Sequence, residues 1–215
     1  MQKFAVTLFQ IIGKICGMLF SPFCGHRFDF LRYVFSYSYV TALYSSRFKS
    51  FGHDSKLVGA PDELRLSENI SVGNFSRLGR HLLLRCYKVS DVVPEIAIGT
   101  QVNIGDYSTL SCCNKIVICD GVRLGRMVMI TDNAHGHTDT IEELHQSPID
   151  RPLVSKGPVY IEKNVWIGEK ATILPGVTIG EGTIIAANAV VTHSVPPFSI
   201  AAGCPAKIVR TFSVK

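Results

Sequence analysis

A polar segment near the middle of the chain carries side chains that can perform acid–base chemistry. Between Ile130 and Asp139 it holds His135 and His137, with Asp132 three residues before the first histidine. Imidazole changes its protonation state near neutral pH, so a neutral ring can take a proton from a hydroxyl group. Asp132 would either orient such a ring or cap a turn. His137 is either a second functional group or a surface residue.

Two other sets of residues extend this chemistry. Trp166 is the only tryptophan, and its position predicts an outward side chain that either stacks on a ligand or contacts another subunit. His81, His135 and His137 would also suit zinc, because three imidazoles with one open position form a catalytic zinc site. A zinc enzyme built on these histidines is the less favoured alternative, and its resemblance to trimeric zinc-binding β-helix proteins implies hydration of carbon dioxide as its reaction.

A six-residue period shows which elements must position these groups. A branched aliphatic recurs with a mostly small or aliphatic residue two positions before it, and glycine often follows. Alternate residues of a strand face the same side, so both positions point inward, and three such strands close a triangular coil of eighteen residues. The pattern predicts a parallel β-helix in which Ile161 lies on Ile179 and Ile167 on Ile185. The sixteen repeat positions are 66, 72, 78, 84, 98, 104, 110, 118, 124, 130, 161, 167, 173, 179, 185 and 191.

Interruptions of the period predict the domain organisation. The largest one lies between Ile130 and Ile161 and predicts an inserted loop over about 134–158, which contains His135 and His137. Long loops of this kind are often functional. We expect a helical segment over 1–50, the β-helix over 51–195 and an extended C-terminal cap over 196–215.

The first fifty residues have a distinct composition. They hold six basic residues and one acidic residue, and twelve of the chain's twenty aromatic residues precede position 50. Residues 4–20 and about 28–47 are predicted helices. Lys14 interrupts the first stretch and no small-residue cleavage site follows, so neither a signal peptide nor a membrane span is expected. The alternatives are a hairpin packed on the protein or on a second subunit, and an anchor at the membrane surface.

Charge and cysteine content exclude other classes. The remaining 165 residues hold sixteen basic and sixteen acidic residues, so a uniformly basic nucleic-acid-binding surface is not expected. The seven cysteines form no CxxC pair, which argues against a disulfide framework and a cysteine-bound zinc ion. Small buried thiols in a reducing cytoplasm fit this usage.

Several motifs resemble the left-handed parallel β-helix acyltransferases with hexapeptide repeats. The similarity covers about residues 58–212 and is closest to O-acetyltransferases of galactoside or maltose and of bacterial surface polysaccharides. The histidine-bearing insert followed by Val165-Trp166-Ile167-Gly168 is the most specific feature. The other matching segments are 173–180, 195–197 and 202–210.

The resemblance implies a left-handed homotrimer that binds acetyl-CoA between neighbouring protomers and needs no metal. It assigns His135 as the catalytic base and Trp166 to the acceptor site. His193 stands where a lysine is common, and no clear equivalent of an acceptor-binding asparagine exists near Tyr107 and Ser108. The positions matched to coenzyme A contacts are Gly168, Glu169, Ala187, Thr192, His193 and Arg210.

The expected reaction is direct transfer of acetyl from acetyl-CoA to a sugar hydroxyl, with His135 as general base and Asp132 and His137 beside it. The aromatic, basic N-terminus favours a lipid-linked or surface glycan acceptor and a cytoplasmic protein in peripheral contact with the membrane. Serine, an amino sugar or an antibiotic hydroxyl are alternative acceptors. A non-catalytic scaffold is the alternative outside enzyme classes.

Overall fold

The computed structural model describes residues 26–137 and 139–213. The first predicted helix, over residues 4–20, lies outside the described residues. The second predicted helix is present as α1, His26–Tyr44, followed by a 3-10 turn at Ser45–Arg47.

The chain beyond α1 winds into a three-sided column of parallel strands. Ile161 pairs with Ile179 and Ile167 with Ile185, as the eighteen-residue coil predicts. The first face comprises Ser50–Phe51, Ile70–Val72, Glu95–Ile98, Lys115–Ile118, Val159–Ile161 and Thr178–Ile179. The second face comprises Lys56–Leu57, Arg77–Leu78, Asn103–Ile104, Arg123–Leu124, Trp166–Ile167, Ile184–Ile185, Ser199–Gly203 and Ala206–Thr211. The third face comprises Glu63–Arg65, Leu83–Cys86, Thr109–Cys112, Met129–Thr131, Thr172–Ile173 and Val190–Val191.

Strand alternation accounts for the interior of the column. Val159 and Ile161 are fully buried, whereas Tyr160 between them is 37% exposed. The repeated aliphatic positions form one continuous core along the column axis. The hydrophobic effect thus holds the coils together along the column axis.

The first coil departs from the predicted register. Leu64, not Leu66, pairs with Leu84 on the third face. Leu66 takes a left-handed conformation with φ of 48° and precedes a 3-10 turn at Ser67–Asn69. Two extra residues therefore lie between Leu64 and the next strand, and an apparently regular step of six conceals them. Phe51 and Leu57 extend the column upstream, since they pair with Val72 and Leu78.

At the corners of the column, glycine serves mainly to let neighbouring coils approach closely. It is less often needed for a positive φ. Several corner residues with positive φ are not glycine, and they include Phe75, Tyr107 and Met127. The glycines that follow the repeated aliphatics instead sit where one coil touches the next. A Cβ added to Gly125 would lie 2.6 Å from the backbone nitrogen of Glu169 and 2.9 Å from its Cα.

Gly125→Ala is therefore expected to destabilise the protein. The added methyl group would push apart two backbones that cannot rotate away, and overpacking of this kind typically costs about 1–3 kcal/mol. Urea unfolding at fixed protein concentration measures the effect. Ala186→Gly is the control, because Ala186 holds the same corner position in a later coil and already carries a Cβ. Equal losses in the two variants would contradict the steric explanation.

A two-stranded arm interrupts the column after the third face. Asn133–His135 pairs antiparallel with Leu153–Ser155, and a short helix, α2 (Ile141–His145), lies at the far end. The chain then rejoins the first face at Val159–Ile161. The column thus supplies a rigid base from which the segment with His135 projects.

Each end of the column carries a further element. The backbone N–H of Leu57, on an edge strand, donates to Oγ1 of Thr41 in α1 at 2.9 Å. At the other end Ala206–Thr211 folds back antiparallel over Ser199–Gly203. Among the described residues, no helix combines the length and apolarity needed to cross a bilayer.

Candidate active site

His135 lies at the end of the first arm strand, directly opposite Leu153. Its side chain is exposed to solvent. Gly136 follows it with φ of 78°, is buried, and donates its N–H to the carbonyl of Pro152 at 2.8 Å. A left-handed residue at this point is easy for glycine and turns the chain immediately after the imidazole.

Charged side chains hold the rest of the arm in place. The Glu143 carboxylate accepts hydrogen bonds from the backbone N–H groups of His137 and Asp139. Nζ of Lys156 donates to the His137 carbonyl at 2.7 Å. The Arg151 guanidinium donates to two carbonyls at the C-terminal end of α2, which belong to Leu144 and Gln146. The backbone of His137 thus anchors the arm, and its side chain is exposed.

The Asp132 carboxylate faces a turn of the column. Asp132 is fully buried, and its two oxygens accept backbone hydrogen bonds from Cys113, Asn114 and Lys115 at 2.7–2.8 Å. Nδ2 of Asn133 donates to the same carboxylate at 3.0 Å. Of the two roles open to Asp132, these contacts match the cap of a turn. The acidic group secures the point where the arm leaves the column.

Two cysteines pack beside this carboxylate. Sγ of Cys112 lies 3.3 Å from Oδ2 of Asp132 and Cys113 is almost fully buried. A hydrogen bond with Cys86 and burial raise the pKa of Cys112 far above its usual range. Burial, with the charge of Asp132, raises the pKa of Cys113 to about 12. Both thiols remain protonated at neutral pH, so neither is activated as a nucleophile.

An open groove of about 710 Å³ runs along the second face and the corner beside it. Trp166, 52% exposed, stands on the strand between those of Arg123 and Ile184, and its ring forms part of the groove wall. Small residues keep the corner side open. The full lining is Arg123, Gly125, Trp166, Gly168, Glu169, Ile184, Ile185, Ala186 and Ala187.

The groove brings together four of the predicted ligand contacts: Trp166, Gly168, Glu169 and Ala187. Thr192 and His193 lie elsewhere and contact one another, with Oγ1 of Thr192 2.8 Å from Nδ1 of His193.

Arg210 lies on the last strand of the second face. It stands opposite Ile200, and Ile200 stands beside Ile184 of the groove. The Arg210 guanidinium lies over the ring of Phe212.

A second groove of about 360 Å³ continues the first toward the N-terminal end of the column. It shares Arg123, Gly125 and Glu169 with the first groove, and Arg77 and Asn103 extend it. Sequence reasoning missed these basic and polar residues. The available signal was their position, since each directly precedes a repeated aliphatic on one face and must point outward.

The three histidines considered for zinc have separate surroundings. Nδ1 of His81 lies 3.0 Å from Oδ1 of Asp62, and its ring stacks on Tyr107 with centroids 4.7 Å apart. His135 and His137 lie on the arm. Within residues 26–137 and 139–213, no group of three or more His, Cys, Asp or Glu side chains is arranged to hold a metal ion.

Comparison with known families supports the predicted resemblance. Residues 158–193 match the family described as bacterial transferase hexapeptide (six repeats). The matched segment contains Trp166, Gly168, Glu169 and Ala187 of the groove. The prediction of a hexapeptide-repeat protein is confirmed for this part of the chain.

The chain is also similar to named relatives. It is 35% identical over 121 residues to the putative lipopolysaccharide biosynthesis O-acetyl transferase WbbJ of Escherichia coli (strain K12). That alignment covers 55% of this chain and 61% of WbbJ. The chain therefore spans less than two thirds of the length of this relative.

Solved structures confirm the predicted left-handed parallel β-helix. AntD, an N-acyltransferase from Bacillus cereus crystallised with dTDP and coenzyme A, superposes with a TM-score of 0.67 at 20% identity over 83% of this chain and 91% of AntD. The hexapeptide-repeat acetyltransferase VCA0836 from Vibrio cholerae was crystallised with acetyl coenzyme A. It superposes with a TM-score of 0.56 at 25% sequence identity, over 80% of this chain and 76% of VCA0836. The first likeness concerns fold alone.

Proposed function

We propose that this β-helical chain is an acetyl-CoA-dependent O-acetyltransferase that acts on a sugar hydroxyl. The observation that carries the proposal is the groove on the second face, because four of the residues matched to acceptor and coenzyme contacts, Trp166, Gly168, Glu169 and Ala187, line it together. The similarity to WbbJ and to the acetyl-CoA-bound VCA0836 supports this chemistry. WbbJ is described as acting in lipopolysaccharide biosynthesis, which favours a surface glycan as the acceptor.

The groove residues suit an extended thioester donor. Gly168, Ala186 and Ala187 leave room for a narrow chain, and Trp166 and Ile184 offer apolar surface. Arg210, two strands beyond Ile184, provides positive charge for the phosphates of the coenzyme. When bound, acetyl-CoA supplies the acetyl group as a thioester.

His135 acts as the general base in this proposal. The imidazole takes the proton of the acceptor hydroxyl as the hydroxyl oxygen bonds to the acetyl carbonyl carbon. A backbone N–H group stabilises the negative charge on the carbonyl oxygen. The carbon–sulfur bond then breaks, and the protonated imidazole gives its proton to the departing thiolate. Acetyl transfer is direct, since no acetylated protein side chain is formed.

A homotrimer would unite the two halves of this site. His135 is carried by an arm that follows the third face, whereas the groove lies on the second face and His135 is not among its lining residues. A neighbouring protomer placed against the second face would present its own arm to the groove. Mass measurement in solution tests for the trimer.

The exposed side of α1 favours peripheral contact with a membrane. Leu31, Phe35, Tyr39 and Leu43 recur every four residues and are 55–73% exposed. Aromatic and aliphatic side chains of this kind insert at a lipid interface, and nearby basic residues attract anionic head groups. Sedimentation with anionic vesicles tests this role. Equal sedimentation of a variant with Phe35→Glu and Tyr39→Glu would contradict it.

Thiol release from acetyl-CoA, measured against a panel of sugars and extracted surface glycans, tests donor, reaction and acceptor together. We expect release that depends on acceptor and an acetyl ester on the product. Saturable coenzyme A binding without transfer to any sugar would indicate a different acceptor, namely serine, an amino sugar or an antibiotic. Absence of both binding and release would favour a scaffold. Stoichiometric zinc in the purified protein would favour the carbon dioxide hydration alternative.

A further inference from the structure

The outward side chains of the second face change character along the column. In spatial order they run Arg77, Asn103, Arg123, Trp166 and Ile184, one from each successive coil. The polar side chains line the second groove, and the apolar ones line the first. The two grooves form one furrow, which we call the second-face furrow, with a basic half and an apolar half.

The basic half holds positive charge without matching ion pairs. Arg77, Arg123 and Arg126 line it together with Asp106 and Glu169. Oδ1 of Asp106 accepts the backbone N–H of Arg80 at 3.0 Å. Among the described residues, none of the three guanidinium groups that line this half forms an ion pair within 4.0 Å.

The spacing of these side chains fits a phosphate ester. Successive coils lie about 4.8 Å apart, so Arg77 and Arg123 are separated by about 10 Å with Asn103 between them. Two long side chains at that separation can converge on one diphosphate, and the amide of Asn103 can donate a further hydrogen bond. Guanidinium groups bind the anionic oxygens of a phosphate through paired hydrogen bonds. A neutral sugar has no anionic oxygens for such a pair.

We propose that the basic half of the second-face furrow binds a phosphate or diphosphate group on the acceptor, so that the acceptor is a phosphorylated sugar. This inference rests on the proposed acetyl transfer and specifies its substrate class. The sugar ring would lie toward Trp166, on the coil next to Arg123, while the phosphates extend over Arg123, Asn103 and Arg77. A nucleoside diphosphate sugar and a lipid-linked diphosphate sugar share this chemistry.

The first test measures anion binding without any acetyl transfer. Inorganic pyrophosphate is titrated into the full-length protein, into Arg77→Gln and into Arg123→Gln. We expect each substitution to weaken binding about ten-fold, because each removes a charge-assisted hydrogen bond. Lys163→Gln is the control, since it removes one exposed positive charge outside the furrow. Equal pyrophosphate binding in all four proteins would overturn the proposal even if acetyl transfer is confirmed.

The second test measures acceptor selectivity. Acetyl transfer is compared for a free hexose, the same hexose as a nucleoside diphosphate sugar, and the same hexose on a polyprenyl diphosphate in detergent. We expect a KM at least about ten-fold lower for a phosphorylated form, and Arg77→Gln should abolish that advantage. The phosphorylated form with the lower KM shows whether the acceptor is a nucleoside diphosphate sugar or a lipid-linked diphosphate sugar. Equal KM values for free and phosphorylated hexose would overturn the proposal.

Coenzyme A supplies an internal check, because it carries a diphosphate of its own. If Arg77→Gln weakened coenzyme A binding about ten-fold and left the KM of every acceptor unchanged, the furrow would hold the donor's phosphates and the proposal would be wrong. If no acceptor is acetylated at all, the proposed function fails. The pyrophosphate titration still decides in that case whether the anion site exists.

Discussion

Replacing His135 with alanine is expected to lower kcat for acetyl transfer by about 10²–10⁴-fold, the usual contribution of a general base. An alcohol is a poor nucleophile at neutral pH, and the variant would leave its proton without an acceptor. The loss should fall on kcat, with coenzyme A affinity changed by less than about two-fold, because the imidazole accepts its proton only in the transfer step. Thiol-release kinetics at saturating acceptor measure the effect.

His145→Ala is the matched control for this experiment. His145 is an exposed histidine on the same arm, at the end of α2. Its removal deletes an imidazole and leaves the arm strands and His135 in place. Activity of His135→Ala within a few-fold of His145→Ala would remove His135 from the mechanism. A large loss in both variants would point to the arm as a whole instead of one side chain.

Asp132→Ala should lower the free energy of unfolding by about 3–5 kcal/mol, because three backbone N–H groups, one buried and two partly buried, would lose their acceptor. The turn formed by Cys113, Asn114 and Lys115 would loosen, and so would the point at which the arm leaves the column, because Asp132 directly precedes the first arm strand. Urea unfolding at fixed protein concentration measures the change. Asp120→Ala is the control, since Asp120 is exposed and its side chain accepts a backbone bond from Thr100.

A second substitution separates the structural role of Asp132 from a catalytic one. Asp132→Asn keeps the shape but turns an amide N–H toward the donors of Asn114 and Lys115, so it should be less stable than the wild type. Its folded fraction should retain most of the activity and an unchanged pH–rate profile. An Asp132→Asn variant of normal stability whose kcat falls about a hundred-fold would instead support orientation of the imidazole.

The repeat made most of the column predictable from sequence. The pairs Ile161 with Ile179 and Ile167 with Ile185 follow from a strict period of six and the alternation of strands. Register failed at Leu64 and Leu66, because an insertion of two residues leaves an aliphatic at both alternative positions. Side-chain type alone cannot separate two leucines that differ only in which of them meets Leu84.

The site was less predictable than the fold. Trp166, Gly168, Glu169 and Ala187 were found through motif resemblance, and they do share one groove. The buried turn contacts of Asp132 were harder to foresee, because they join residues about twenty positions apart across neighbouring coils. Arg77 and Arg123 were overlooked because each is ordinary in its own repeat. Their shared groove becomes visible only when the stacking of coils places them on one face.

The elements at the two ends of the column carry a consequence for solubility. A stack of parallel coils has unpaired backbone groups at its first and last turns, and such edges recruit strands from other molecules. Here Thr41 of α1 occupies one edge donor, and the strand Ala206–Thr211 folds over the opposite end. The helix contacts one edge strand, and the antiparallel terminal hairpin interrupts the parallel stacking that a further coil would need. Shortened versions of this protein that lack either element are the forms in which end-to-end polymerisation would begin.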